Sequence, residues 1–268
     1  MFEVKVKDIN IFDSLNCGQI FRFNKLDENK YEVFSKAEYA TVTRVQDIFV
    51  IESSNDKYFY DFLNLDVDYM AILKGLRDNI HLKDVIPCDV VPLRILKQDL
   101  FEMIISFIVS ANNNIPRIKG IIKRMCDECG ERKCDYHAFP TAKALASKDE
   151  EFFKSIGLGY RAPYILKTAK LIASGVFDIE KLKKLNTKDA EKALLTLPGV
   201  GPKVADCILL FGLNRYDVFP VDTWIEKVYK DIFHKEEKPK KMREDLIKEF
   251  GDYSGIAQQY LFYAKRGY

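Results

Sequence analysis

The chain has 268 residues, 47% of them hydrophobic, and its 42 Lys and Arg nearly balance 40 Asp and Glu for a formal charge of +2. That apolar content excludes a disordered chain and suffices for one large domain or two to three lobes. The near-neutral balance leaves nucleic-acid binding open, because cations can still cluster on one face. Met1-Phe-Glu-Val-Lys-Val-Lys7 alternates charge and apolarity, unlike a secretory leader, and the most apolar run, Met103 to Ala111, is too short to span a bilayer. The expectation is a soluble intracellular protein, cytoplasmic or nucleoid-associated, whose six cysteines are free thiols.

The first ~55 residues read as strands. Alternating runs at Phe2–Val6, Ile20–Phe23, Tyr31–Phe34, Tyr39–Thr43 and Ile48–Ile51 are separated by Asn, Asp and Lys. From Asp56 the apolar spacing becomes helical, with Tyr60, Leu63 and Leu65, then Met70, Leu73 and Leu76. Pro87 and Pro92 interrupt it and mark a lobe boundary, dividing residues 1–92 from 93–268. Beyond it, helices are expected at 95–111, 115–125, 141–155, 162–174, 187–197, 202–211, 223–233, 241–250 and 255–265. The fold class is therefore α+β: a small antiparallel sheet lobe followed by a mostly helical core. The Lys-rich stretch from His234 to Met242 reads as a solvated connection.

Cys126, Cys129, Cys134 and His137 lie close in sequence and invite a zinc reading. Their spacing matches no common zinc module, and ordinary thiols are the favoured alternative.

Chemistry concentrates in Leu197-Pro-Gly-Val-Gly-Pro-Lys203-Val-Ala-Asp-Cys207, followed one helix length later by Pro220-Val-Asp222. A Pro-Gly turn between helices is often only a corner with a glycine cap. Here Gly199 and Gly201 precede Pro202 at a helix start, which leaves backbone amides and the positive end of the helix dipole for an anion such as a DNA phosphate. Lys203 falls in that helix's first turn, where the dipole disfavours the ammonium form. A neutral amine is a nucleophile for a sugar C1′ and then forms a Schiff base. Asp222 suits a helix N-cap, and a carboxylate fixed there also stabilises a cationic sugar transition state. It can equally take up a proton.

These motifs resemble the helix-hairpin-helix DNA glycosylase superfamily, and within it the eukaryotic-type 8-oxoguanine DNA glycosylase/AP lyases. Gly18-Gln-Ile-Phe-Arg22, Ser110-Ala-Asn-Asn-Asn-Ile-Pro-Arg117, Leu158-Gly-Tyr-Arg161 and Ala257-Gln-Gln-Tyr-Leu-Phe262 extend the resemblance over nearly the whole chain. It implies a helix-hairpin-helix at about residues 187–213 and a final helix closing a base pocket. It implies Lys203 as nucleophile and Asp222 as its partner. Cys207 and Phe262 would sandwich the extruded base, and Gln258 would read its Watson–Crick edge; without the family, Phe262 reads as core and Gln258 as surface. Gly18 would discriminate the lesion, since guanine N7 accepts whereas 8-oxoguanine carries a hydrogen there, so a backbone carbonyl favours the lesion. Asn112, Arg117 and Arg161 would hold the orphaned cytosine and Tyr160 would wedge the stack; Gly199, Val200, Gly201 and Val204 would hold phosphate. A cation on the carbonyls of Leu195, Leu197 and Val200 is implied by the resemblance alone.

The chain departs from the family at Trp224, where eukaryotic members carry a phosphate-holding histidine. No cysteine follows Cys207, so the C-terminal Fe–S cluster of other branches has no ligands. The resemblance implies a monomer that needs no cofactor, excises 8-oxoguanine from duplex DNA, preferably opposite cytosine, and nicks the strand by β-elimination. Two rival readings are a glycosylase for another damaged purine, which Lys203 argues against, and a non-catalytic DNA-binding module.

Overall fold

The computed structural model describes residues 1–266. Five antiparallel strands, β1 (Phe2–Lys5), β2 (Phe23–Asp27), β3 (Lys30–Ser35), β4 (Glu38–Val45) and β5 (Ile48–Ser53), form a sheet in the order β1-β5-β4-β3-β2. The register pairs Phe23 with Val33, Val33 with Ala40, and Tyr31 with Val42, which faces Ile51. Alternation therefore puts one apolar set on one face. That face packs on Ile11 and Leu15 of helix Ile11–Asn16 and on Phe59 and Phe62 of helix Asp56–Phe62.

The helical body is expected from the sequence in outline, with differences that have local causes. The helix expected from Ile95 starts at Leu100, where the Asp99 side chain caps the Glu102 amide. Residues 93–96 are instead irregular and buried, and side chains meet their amides. Leu93 N–H donates to Tyr260 Oη, Arg94 N–H to Ser14 Oγ, Ile95 N–H to Tyr69 Oη and Leu96 N–H to Gln19 Oε1, at 2.8–3.0 Å. These partners outcompete an intrahelical ladder. The span 141–155 divides into helices Ala142–Ala146 and Glu150–Ser155, because Asp149 caps a second start. Helices Ile11–Asn16 and Ile179–Lys184 are too short for a visible period and begin at Asn10 and Asp178 caps. The strand expected at Ile20 begins only at Phe23: Ile20 and Phe23 join the sheet core while Phe21 joins the helical core, so the chain bends between them.

Core membership does not follow a cut at Pro92. Tyr69, Ile72, Leu73 and Leu76, from helix Tyr69–Arg77, belong to the helical core. A buried ion pair crosses the two bodies: Arg22 donates to both Glu102 oxygens at 3.3 Å, and Glu102 Oε2 also accepts the Lys36 amide at 2.7 Å. Arg22 and Glu102 are 8% and 3% exposed. Removing one member leaves the other charge buried alone, a loss of about 3–5 kcal/mol. Glu102→Ala is therefore expected to lower the urea midpoint steeply, and Glu102→Gln, which keeps an acceptor, to do so less.

Candidate active site

Helix Pro202–Leu213 starts with Gly201 as N-cap and Pro202 in its first turn, as the hairpin sequence predicts, and no side chain caps it. Its first amides thus lack intrahelical acceptors. The preceding helix ends at Leu194, three residues earlier than expected, and the hairpin is closed by Leu197 N–H to Leu194 O at 3.0 Å and Val200 N–H to Leu197 O at 3.1 Å. The Val200 amide is therefore engaged within the turn. The two glycines have different reasons. Gly199 has φ 82°, and a Cβ there would stand 2.9 Å from the Tyr164 ring, so the fold itself requires glycine. Gly201 is extended, and a Cβ would meet nothing within 4 Å. Nothing inside the protein demands glycine at 201, and the space beside it is open.

Lys203 and Asp222 face one small cavity, about 50 Å³, with Cys17, Gly18, Phe107, Cys207, Phe211, Pro220, Gln258, Gln259 and Phe262. Lys203 Nζ stands 5.7 Å from the centre of the Phe107 ring, and the i, i+4 spacing puts the Cys207 thiol on the same helix face, within reach of the lysine's charge. Burial pushes that thiol up to about 11, so it stays protonated. Asp222 is the N-cap of helix Thr223–Phe233, and Oδ1 accepts the Trp224 and Ile225 amides at 3.0 Å each. Both capping and cavity placement hold together. Gln258 is 5% exposed, and its Oε1 has no hydrogen-bond partner among the described residues. A buried acceptor left open costs about 1–3 kcal/mol, which a bound donor would recover. The cavity equals one or two waters' share of liquid volume, about 30 Å³ each. Phe262 is the half-buried ring in its lining.

The residues expected at the orphaned base gather on a neighbouring surface. Asn112 is exposed in the left-handed region at φ 49°, Arg117 is exposed, and Tyr160 is 56% exposed. Arg161 differs from its expected exposure to a base. It is 2% exposed, donates from Nε to Ala111 O at 2.9 Å and from Nη2 to Asn112 O at 2.8 Å, and stacks under Tyr160 at 4.3 Å. It holds the Asn112 turn from behind.

Trp224 is 37% exposed, with Lys227 Nζ 4.6 Å and the Arg266 guanidinium 5.9 Å from its ring. Cys126 is packed in the core with its thiol pushed up to about 12 by burial, and Cys134 is exposed. Among the described residues no group of three or more His, Cys, Asp or Glu could hold a metal. Nor is any described helix long and apolar enough to cross a membrane. A larger cleft, about 1370 Å³, lies between the outward sheet face and residues 119–137, away from Lys203 and Asp222. Size alone does not locate the chemistry. Sequence reasoning missed the cavity walls Phe107, Phe211 and Pro220 and the pocket amide Gln259. Only Pro220 had a signal, its place two residues before Asp222.

Residues 105–251 match the family model described as HhH-GPD superfamily base excision DNA repair protein, and residues 1–104 match the 8-oxoguanine DNA glycosylase N-terminal domain. The chain belongs to the HhH-GPD superfamily of base excision DNA repair proteins, in the branch that carries this N-terminal domain. It is similar to the N-glycosylase/DNA lyase OGG1 of Arabidopsis thaliana, 36% identical over 189 residues, which cover 64% of this chain and 52% of that protein. It thus spans about half the length of that relative. The N-glycosylase/DNA lyase of Saccharomyces cerevisiae is 29% identical over 319 residues, covering 97% of this chain and 84% of the yeast protein. Among solved structures, Clostridium acetobutylicum 8-oxoguanine glycosylase/lyase in complex with double-stranded DNA containing cytosine opposite 8-oxoG superposes with a TM-score of 0.92 at 35% identity, covering 98% of this chain and 93% of that one.

Gly199→Ala is expected to cost about 1–3 kcal/mol through its left-handed backbone and the Tyr164 contact. Gly201→Ala is expected to leave the thermal midpoint nearly unchanged while weakening duplex binding. Paired melting and titration experiments check both; equal stability losses would refute the assignment.

Proposed function

We propose that this protein is a bifunctional DNA glycosylase/AP lyase that removes 8-oxoguanine from duplex DNA, preferably opposite cytosine. The observation that carries the reading is Lys203, Asp222 and the unpartnered Gln258 oxygen around one cavity, beside a hairpin open to phosphate. Its likeness to glycosylase/lyases over most of its length supports the same reading.

In the proposed reaction the duplex docks its backbone at Gly199, Gly201 and the first-turn amides of Lys203 and Val204, and the damaged nucleotide swings into the opened pocket. The Lys203 nitrogen forms a bond to C1′ through its lone pair as the glycosidic bond breaks, and the base departs with the bonding pair and takes up the proton that the new secondary ammonium loses. Asp222 stabilises the cationic sugar during that step. Loss of the ring oxygen as a hydroxyl gives the Schiff base. Removal of a C2′ proton then expels the 3′ phosphate and nicks the strand. Gln258 meets the Watson–Crick edge, Cys207 and Phe262 take the two base faces, and the Gly18 carbonyl accepts the N7 hydrogen of the lesion.

Asn112 and Arg117 are placed to meet the orphaned cytosine with Tyr160 as wedge, Arg161 acting through the Asn112 turn. The carbonyls of Leu195, Leu197 and Val200 follow the end of helix Thr187–Leu194, and Leu197 O, which accepts the Val200 amide, keeps a second lone pair. Such oxygens suit a hard cation that would offset phosphate charge at the hairpin. All proposed groups come from one chain, in keeping with action as a monomer.

Borohydride reduction on an 8-oxoguanine:cytosine duplex is expected to trap wild type covalently and to leave Lys203→Gln free though still bound to DNA. Binding by wild type without an adduct would instead favour a DNA-binding module. Gln258→Ala is expected to weaken lesion binding about tenfold relative to undamaged duplex; equal losses on both duplexes would exclude a reading role.

A further inference from the structure

We infer that Gln259 is a specificity-determining positioning residue, which aims the Gly18 carbonyl by holding the peptide before it. The inference rests on the proposed reading of 8-oxoguanine by that carbonyl. Gln259 is 1% exposed and lines the cavity beside Gln258, yet it does not point its amide at a base: Nε2 donates to Cys17 O at 2.9 Å. The bond joins the final helix to a loop 242 residues earlier.

Gly18 is the residue between two peptide planes, and it has φ 85°, where glycine moves most freely. On its far side, Gln19 is fully buried and immobilised. Its Nε2 donates to Ser14 O and Arg94 O at 2.8 Å, its Oε1 accepts from Leu96 N–H at 2.9 Å, and its own carbonyl accepts from Gln98 Nε2 at 2.8 Å. On its near side, Gln259 is the side chain from the base-pocket helix that fixes the Cys17 carbonyl, and so the Cys17–Gly18 plane. With the Gln19 side chain and carbonyl anchored on one side and the Cys17 carbonyl on the other, Gly18 is clamped between two fixed neighbours, which restricts the direction of its carbonyl. With the near plane released, glycine pivots on the Gln19 anchor and the carbonyl samples other directions.

The consequence falls on discrimination. Lesion and normal base differ at N7 by one hydrogen, so an acceptor at that point favours the lesion and a displaced one favours neither. Binding that does not involve a base in the pocket is indifferent to the carbonyl's direction.

The test measures duplex affinities in a Lys203→Gln background, which binds without turnover. Three duplexes are compared: 8-oxoguanine:cytosine, guanine:cytosine and a tetrahydrofuran abasic analogue opposite cytosine. Gln259→Leu is expected to cut the 8-oxoguanine-to-guanine affinity ratio about tenfold, the worth of one hydrogen bond, with abasic affinity within about twofold. Gln259→Glu supplies an independent readout should the Leu variant fold poorly. Its protonated carboxyl donates to Cys17 O and its carboxylate cannot, so the ratio is expected to fall as pH rises from 5 to 8. An unchanged ratio in Gln259→Leu, parallel losses on lesion and abasic duplexes, or a pH-independent ratio in Gln259→Glu would each overturn the inference. Absence of any preference in the background protein itself would instead sink the reading of Gly18, and this inference with it.

Discussion

Burying irregular backbone between two bodies of a protein is tolerable only when every amide finds a partner. Residues 93–96 meet that demand with four side chains, drawn from the first helix, the loop after it, helix Tyr69–Arg77 and the final helix. Tyr260, which serves Leu93, sits between Gln259 and the base-pocket residue Phe262 on one helix. The same polar seam therefore ties the sheet body, the helical body and the cavity wall together. Gly18 and Lys203 line one cavity, and this seam joins the two bodies that carry them.

Several residues in the site do structural and chemical work with the same atoms. Asp222 stays where it is because Oδ1 closes a helix start, and that restraint is what keeps a carboxylate beside Lys203. The hairpin divides its labour instead. Gly199 satisfies the turn and its Tyr164 neighbour, whereas Gly201 leaves space on the outside. Arg161 belongs with the first kind: its Nε and Nη2 are spent on the carbonyls of Ala111 and Asn112, and they hold the exposed Asn112 turn.

The cavity combines small size with an open hydrogen-bonding group. A buried amide oxygen with no partner is an unfavourable state that a purine edge would relieve, yet about 50 Å³ cannot admit the purine. Under the proposed reading, the energy recovered at Gln258 becomes available once a base lies against Phe262. A base that offers no donor to that oxygen gains less from forcing the pocket apart.

Much of this protein follows from its residues in order. Alternation in the first fifty-odd residues determines a sheet with one apolar face, and the Gly-Val-Gly-Pro-Lys run determines a hairpin feeding a helix start with a lysine in its first turn, since both are local patterns of period and backbone allowance. The i, i+4 relation of Lys203 and Cys207 is equally local. Tertiary structure alone decided that the segment before Leu100 is not helical, because the competing partners lie up to 167 residues away in sequence. It alone decided that Arg161 is buried and that Gln259 grips Cys17 while Gln258 is left open. Adjacent glutamines on one helix are indistinguishable in sequence, and only the surfaces packed against each side assign one to the backbone and the other to the pocket.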